Sequence, residues 1–224
     1  MKSKQRVGEN LVNSEFSRKS REEYWEHASG LLMELGFAGF EVRTMSELRE
    51  FENYDLAVPI LHTWLPQIEL KRLHSDVVEC LKKRMSLPTL INEYKRNDID
   101  RWVVGNAIAT ISRPSDFERI RPLLKEEYGD GRDMLVLRMG RMKGSEKVVE
   151  TLIGLLDGGA ALYAIEALGR LKTVKARSRI ERFTQDEFLG AFWESHAEIK
   201  GLRKQVVSEL KKKAQKALER IHSS

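Results

Sequence analysis

Residues 159–172, GAALYAIEALGRLK, place Ala160, Ala164, Ala167, Leu168 and Leu171 at three- and four-residue intervals. That spacing puts them on one face of an α-helix. The alanines allow a neighbouring helix to come close, and the leucines supply apolar grip. Just upstream, Val148, Val149, Leu152, Ile153, Leu155 and Leu156 form a second amphipathic stripe, and Asp157-Gly158-Gly159 separates the two. The expected unit is helix, glycine turn, helix, with a glycine in the left-handed region ending the first helix.

Weaker copies of this unit precede it. DRWVVGNAIATI, residues 100–111, sets Val104, Ala107, Ile108 and Ile111 in the equivalent places, and GRDMLVLRMGRM, residues 131–142, sets Leu135, Met139 and Met142 there. Val77, Cys80 and Leu81 match more faintly. The anchors Leu81, Ile108, Met139 and Leu168 fall 27, 31 and 29 residues apart. One helical hairpin per period of that length is the mark of an α-solenoid. EALGRLK, preceded by VVETLIGLLD, resembles the short HEAT-like repeats of bacteria, as in phycobilin-lyase-type proteins, and LVLRMGRMKGSEKVVETLIGLL repeats the join between two such units. The resemblance spans residues 55–220. It implies an all-α fold, an α-α superhelix of four to five helical hairpins with an N-terminal helical cap. Residues 1–54 would form a tail and capping helices, and residues 55–224 the array, ending in a long basic helix. HEAT-like arrays hold very different partners, so the resemblance is informative on fold and nearly silent on function.

Composition narrows the classes further. Hydrophobic residues make up 41% and charged residues 33% of the chain, which suits a soluble, surface-rich helical protein. No apolar run approaches the roughly 20 residues needed to span a bilayer. The first residues, MKSKQRVGENLVNSEF, lack the apolar centre of a signal peptide, which predicts a cytoplasmic protein without membrane partners. Cys80 is the single cysteine, so no intrachain disulfide and no CxxC zinc site can form, and it reads as a small buried side chain. The net charge is +5, with basic residues gathered in the first twenty or so positions and after Lys200. Such ends fit solvated faces, or contact with nucleic acid or an acidic protein.

Along the chain, Ser20–Leu35 reads as a helix with Tyr24, Leu31, Leu32 and Leu35 facing the core, stopped by Gly36. Residues 37–42 suit a short extended segment. Thr44-x-x-Glu47 fits a capping box opening a helix through Phe51. Pro59 suits a first turn, Ser75–Met85 reads as an inner helix, and Pro88 opens an outer one. A loop is expected over residues 96–98. Phe117–Tyr128 reads as an outer helix, capped by Ser115 or Asp116, in which Pro122 forces a kink or a late start. Gly129-Asp130-Gly131 is expected as a turn. Beyond the pivot, Lys175–Phe183 reads as an outer helix. Thr184–Ser195, with Phe188, Leu189, Phe192 and Trp193, reads either as a helical turn packing its aromatics on the core or as a lip over the inner surface. His196–Ile221 reads as a terminal amphipathic helix with Ile199, Leu202, Val206, Val207, Leu210, Ala214 and Leu218 inward.

The polar positions of the inner helices would share the concave side. They are Arg101, Trp102, Asn106 and Thr110, then Arg132, Asp133 and Arg141, then Leu162, Glu166 and Arg170. A tryptophan beside arginines has the composition of a protein-binding hot spot, although Trp102 also suits a core wedge. No two histidines share a helix face in an HExxH manner, and no GxxxxGK[ST] or GxGxxG is present. His196, near Glu194 and Glu198, suits only a local pair. The expectation is therefore a non-enzymatic scaffold without cofactor or metal, clasping one protein partner as an adaptor, assembly factor or immunity-type inhibitor. The alternative is a nucleic-acid-binding protein. One HEAT-like branch, the alkylpurine DNA glycosylases, cradles duplex DNA on a basic concave face. Trp102, Asp133 and the arginines offer a similar palette, but that branch's motif has no contiguous match here, and Asp133 and Glu166 interrupt the basic row.

Overall fold

The structure is a computed structural model that describes residues 2–96, 101–125, 129–195 and 203–223, with side chains from residue 19 onward. Among the described residues it is all-helical, with thirteen α-helices joined by short 3-10 turns and no strand. It divides into two compact units, Met1–Asp100 and Arg101–Ser224. The boundary expected at residue 54 lies inside the first.

The first unit holds α1 (Lys2–Phe37), α2 (Met45–Leu48), α3 (Val58–Trp64), α4 (Lys71–Cys80) and α5 (Leu87–Arg96). In α1, Tyr24, Ala28, Leu31, Leu32 and Leu35 are buried along one stripe against α3 and α4. The helix runs through Gly36. It stops beyond Phe37, where Gly39 takes φ +92 and the Phe40 N–H donates to the Leu35 carbonyl. The left-handed geometry sits at Gly39, where no Cβ opposes it. Thr44 caps α2 as expected, its Oγ1 accepting from the Glu47 N–H, while the Glu47 carboxylate accepts from the Arg43 N–H at 2.7 Å. That helix ends at Leu48, short of Phe51. Pro59 lies in the first turn of α3, and α4 ends at Cys80 rather than Met85, which belongs to the 3-10 turn Arg84–Ser86.

The second unit holds α6 (Arg101–Ile111), α7 (Phe117–Ile120), α8 (Asp130–Met139), α9 (Glu146–Gly154), α10 (Ala161–Leu171), α11 (Arg177–Glu181), α12 (Asp186–Ser195) and α13 (Arg203–His222). Helix α6 packs on α8, α8 on α10 and α10 on α13, so these four lie side by side in chain order. The shorter helices lie in the connections. Pro122 converts the expected long outer helix into the four residues of α7 followed by a 3-10 turn, Arg121–Lys125, because proline removes an N–H and its ring crowds the preceding turn. Gly131 is helical, not part of a turn. The break between α9 and α10 falls at the expected 157–159, with Gly158 extended at φ −125 rather than left-handed, and α10 ends with Lys172 in the left-handed region at φ 56. Thr184–Ser195 contains the ten-residue α12. Its Phe188 and Phe192 rings close on Phe183 at 5.0 and 5.3 Å, with Leu189 and Trp193 buried. That is the packed arrangement, not free aromatics. The expected loop after Arg96, the outer helix beyond Lys125, and positions 196–202 with His196, Ile199 and Leu202 lie outside the described residues.

The four spaced anchors Leu81, Ile108, Met139 and Leu168 are all fully buried. Between them the second unit is held by backbone contact at small residues. A Cβ placed on Gly105 of α6 would lie 2.4 Å from the Gly131 carbonyl oxygen of α8. On Gly140, at the end of α8, it would meet the Ala167 Cα of α10 at 2.7 Å, and on Gly169 of α10 the Ala217 Cβ of α13 at 2.7 Å. Each join therefore needs a residue with no side chain on one side and a small one on the other.

Ion pairs between the connecting segments repeat with a similar spacing. Lys147 pairs with Glu118, and Lys175 with Glu146, both across 29 residues, while Lys83 reaches Asp55 across 28 in the first unit. Exposed pairs of this kind add little to stability. Their value is as a marker that equivalent positions recur.

Gly105→Ala and Gly169→Ala should each destabilise the protein by about 1–3 kcal/mol, the usual range for overpacking. Gly154→Ala, in a helix with open space around it, should stabilise by about 0.4–1 kcal/mol. Thermal melts of the three variants check the contrast.

Candidate functional site

Helices α6, α8 and α10 present one row of polar and apolar side chains each. On α6 the row is Trp102, Asn106 and Thr110, four residues apart. Trp102 is 47% exposed, so it is not a wedge in the core. On α8 and the residues after it the row is Met134, Leu137, Arg138 and Arg141. On α10 it is Leu162, Glu166 and Arg170, all half-buried. Asn106, Thr110, Met134, Arg138, Arg141 and Arg170 line one groove of about 360 Å³. The structure thus brings Asn106, Arg141 and Arg170 together, with Trp102 a turn away on α6 and Glu166 a turn away on α10. Arg101 is half-buried beside Trp102.

Arg132 and Asp133 do not join them. They are 3% and 8% exposed and pair with each other, Arg132 Nη2 donating to Asp133 Oδ1 at 3.1 Å. The reason is helical phase within α8: Arg132 and Asp133 stand two and one residues before Met134, roughly 200° and 100° around the helix from it, so neither shares the side of Met134 and Arg138. This corrects the expected membership of Arg132 and Asp133 in the exposed face. It also removes one of the two acids expected to interrupt the basic row.

Arg138 was not expected in the site. It belongs there because it lies four residues after Met134, on the same side of α8. Its Nη2 donates to the Ser112 carbonyl, just beyond the end of α6. Helix ends leave carbonyls without intrahelical donors and carry partial negative charge, so a guanidinium there serves both needs. The Arg138 Nε is buried without a hydrogen-bond partner among the described residues. Burial, and then the Arg141 charge beside it, hold the Arg138 pKa below its usual value. Arg141 itself is exposed, and among the described residues no carboxylate pairs with it.

Glu166 is compensated. Arg170, one turn on, donates to its Oε1 at 2.5 Å, and Lys213 of α13 donates to its Oε2. Burial works against its charge, but the two cations outweigh burial and hold its carboxyl below the usual range. With Glu166 offset, the groove keeps a positive balance from Arg138, Arg141 and Arg170.

Among the described residues no group of three or more His, Cys, Asp or Glu side chains is placed to hold a metal ion, and no helix is long and apolar enough to cross a membrane. In the first unit His74 Nε2 lies 3.0 Å from Glu93 Oε1, and Arg96 approaches the other oxygen at 3.5 Å. Both His74 and Glu93 are buried, so the pair reads as an interior link between α4 and α5. Cys80 is buried with its thiol donating to the Met45 carbonyl at 3.2 Å, and burial pushes its pKa up to about 12. A thiol of that kind is a poor nucleophile. No known protein family matches the chain, and no curated protein matches it.

Two outcomes follow from these environments. Cys80 should resist a water-soluble disulfide reagent at pH 8 in the native protein and react with one equivalent in denaturant. Glu166→Gln should lower stability at neutral pH. A carboxyl whose folded pKa is depressed stabilises above its unfolded pKa, and that contribution fades as pH falls through the folded value. The gap between wild type and variant should therefore close in acid, as denaturation measured from pH 7 downward would show.

Proposed function

We propose that this chain is a non-enzymatic protein-binding scaffold, a HEAT-like α-solenoid over residues 55–224 of four to five hairpins with an N-terminal helical cap, acting in the cytoplasm. The stacking of α6, α8, α10 and α13 in chain order supports the solenoid reading, as do the buried anchors near thirty-residue spacing and the recurrent ion pairs between the connecting segments. The partner is a protein, gripped on the face shared by α6, α8 and α10, in the manner of an adaptor, assembly factor or immunity-type inhibitor.

The observation that carries this reading is the composition of that face. An exposed tryptophan, half-buried Met134, Leu137 and Leu162, and a cluster of arginines stand on rigid helices. Interfaces favour Trp, Met and Arg, and a rigid surface loses little freedom on binding. The test is purification from the native source followed by affinity measurement. A stoichiometric protein partner should co-purify. Trp102→Ala with Leu162→Ala should weaken its binding by about thirtyfold or more, the usual cost of a lost hot spot, with the melting curve unchanged. Unchanged affinity would remove this face from the role, and a chain that purifies alone would remove the scaffold reading.

A further inference from the structure

The groove between α6, α8 and α10 gathers three guanidinium groups, and among the described residues one carboxylate, Glu166, pairs with any of them. Arg138 is anchored by the Ser112 carbonyl and is therefore fixed in place. Arg141, three residues on, adds a second positive charge close enough to disfavour the charge on Arg138. Arg170 lines the same groove from α10. Of the three, Arg170 has a carboxylate, Glu166, and Lys213 competes for that one. Like charges held together in a partly buried place cost stability. Such a local cost is expected where a ligand later supplies the missing counter-charge.

We propose that the groove lined by Arg138, Arg141 and Arg170 receives the carboxylates of an acidic, extended segment of the protein partner. This rests on the scaffold reading above and adds the partner's chemistry to it. Guanidinium groups offer paired donors that match a carboxylate, and Arg138 retains donors beyond the one given to Ser112. Asn106 and Thr110 of α6 line the same groove and add neutral polar groups for the segment's backbone. At about 360 Å³ the groove holds side chains rather than a folded surface. Protein is favoured over nucleic acid as the occupant on three counts. The arginines form a short cluster, not the long basic stripe that tracks a phosphate backbone. Glu166 stands in the same face. Trp102, Met134, Leu137 and Leu162 set apolar surface around the charges, which suits a peptide with alternating acidic and apolar side chains.

The experiment uses the full chain and three fluorescent probes in low salt: a Glu- and Leu-containing decapeptide, the same peptide with Gln for Glu, and a short DNA duplex. The acidic peptide should bind at least tenfold more tightly than the Gln peptide and the duplex, and rising salt should weaken it. Arg141→Glu should lower its affinity at least tenfold. Arg141→Gln should also weaken it while raising the melting temperature, because the repulsion on Arg138 is relieved. A role for Arg141 in folding alone would lower the melting temperature instead, and would overturn the proposal. Equal binding of the two peptides, or full acidic-peptide affinity in Arg141→Glu, would overturn it as well. Duplex binding as tight as the acidic peptide's, lost in Arg141→Glu, would replace the protein segment with nucleic acid. If neither peptide binds while the Trp102-dependent native partner still does, the acidic-segment proposal fails and the scaffold reading stands.

Discussion

The second unit depends on how closely its helices approach. At Gly105 against Gly131, Gly140 against Ala167 and Gly169 against Ala217, the helices meet with nothing larger than an alanine methyl between their main chains. Contacts at that distance gather many small dispersion terms and leave no void to fill. They also decide where everything else goes. Large apolar side chains such as Ile108, Met139 and Leu168 are fully buried beside these seams. What remains on the other side is a row from each helix, held at fixed spacing. The face with Trp102 and the arginines is a by-product of that seam.

Electrostatics then divides the molecule into two kinds of surface. Between successive connecting segments, opposite charges meet, as in Glu118 with Lys147 and Glu146 with Lys175. On the face of α6, α8 and α10 Glu166, the one carboxylate there among the described residues, is shared by two cations, and Arg141 is left beside Arg138. One surface is internally settled and the other is not. Binding energy resides where pairing is incomplete, because a partner can supply what the fold withholds.

The apolar half of this arrangement was legible in the chain. The three- and four-residue spacing in residues 159–172, and its echoes at 100–111 and 131–142, selected side chains that are buried, including Ala164, Val104 and Leu135. Proline chemistry was legible in direction but not in extent: Pro122 was expected to disturb its helix, and it leaves only four α-helical residues before it. Glycines were harder: α1 runs through Gly36 to a left-handed Gly39, and the break at 157–159 falls where the spacing puts it but with Gly158 extended, because a glycine in sequence carries no sign of whether it serves a left-handed stop, an extended link or a tight crossing. Gly131 looked like punctuation and is a contact. For the candidate face, Arg141 and Arg170 are legible by register, whereas polarity alone does not separate Arg132, buried with Asp133, from Arg138, which shares the side of Met134.

The three seams are made from the same kind of part, and none uses a side chain peculiar to its own position. Interchangeable joints make a chain extensible. A duplicated segment of one period, set between α8 and α10, would meet each neighbour through a small residue it already accepts. The face shared by the helices would grow by one row while the seams on either side stayed as they are.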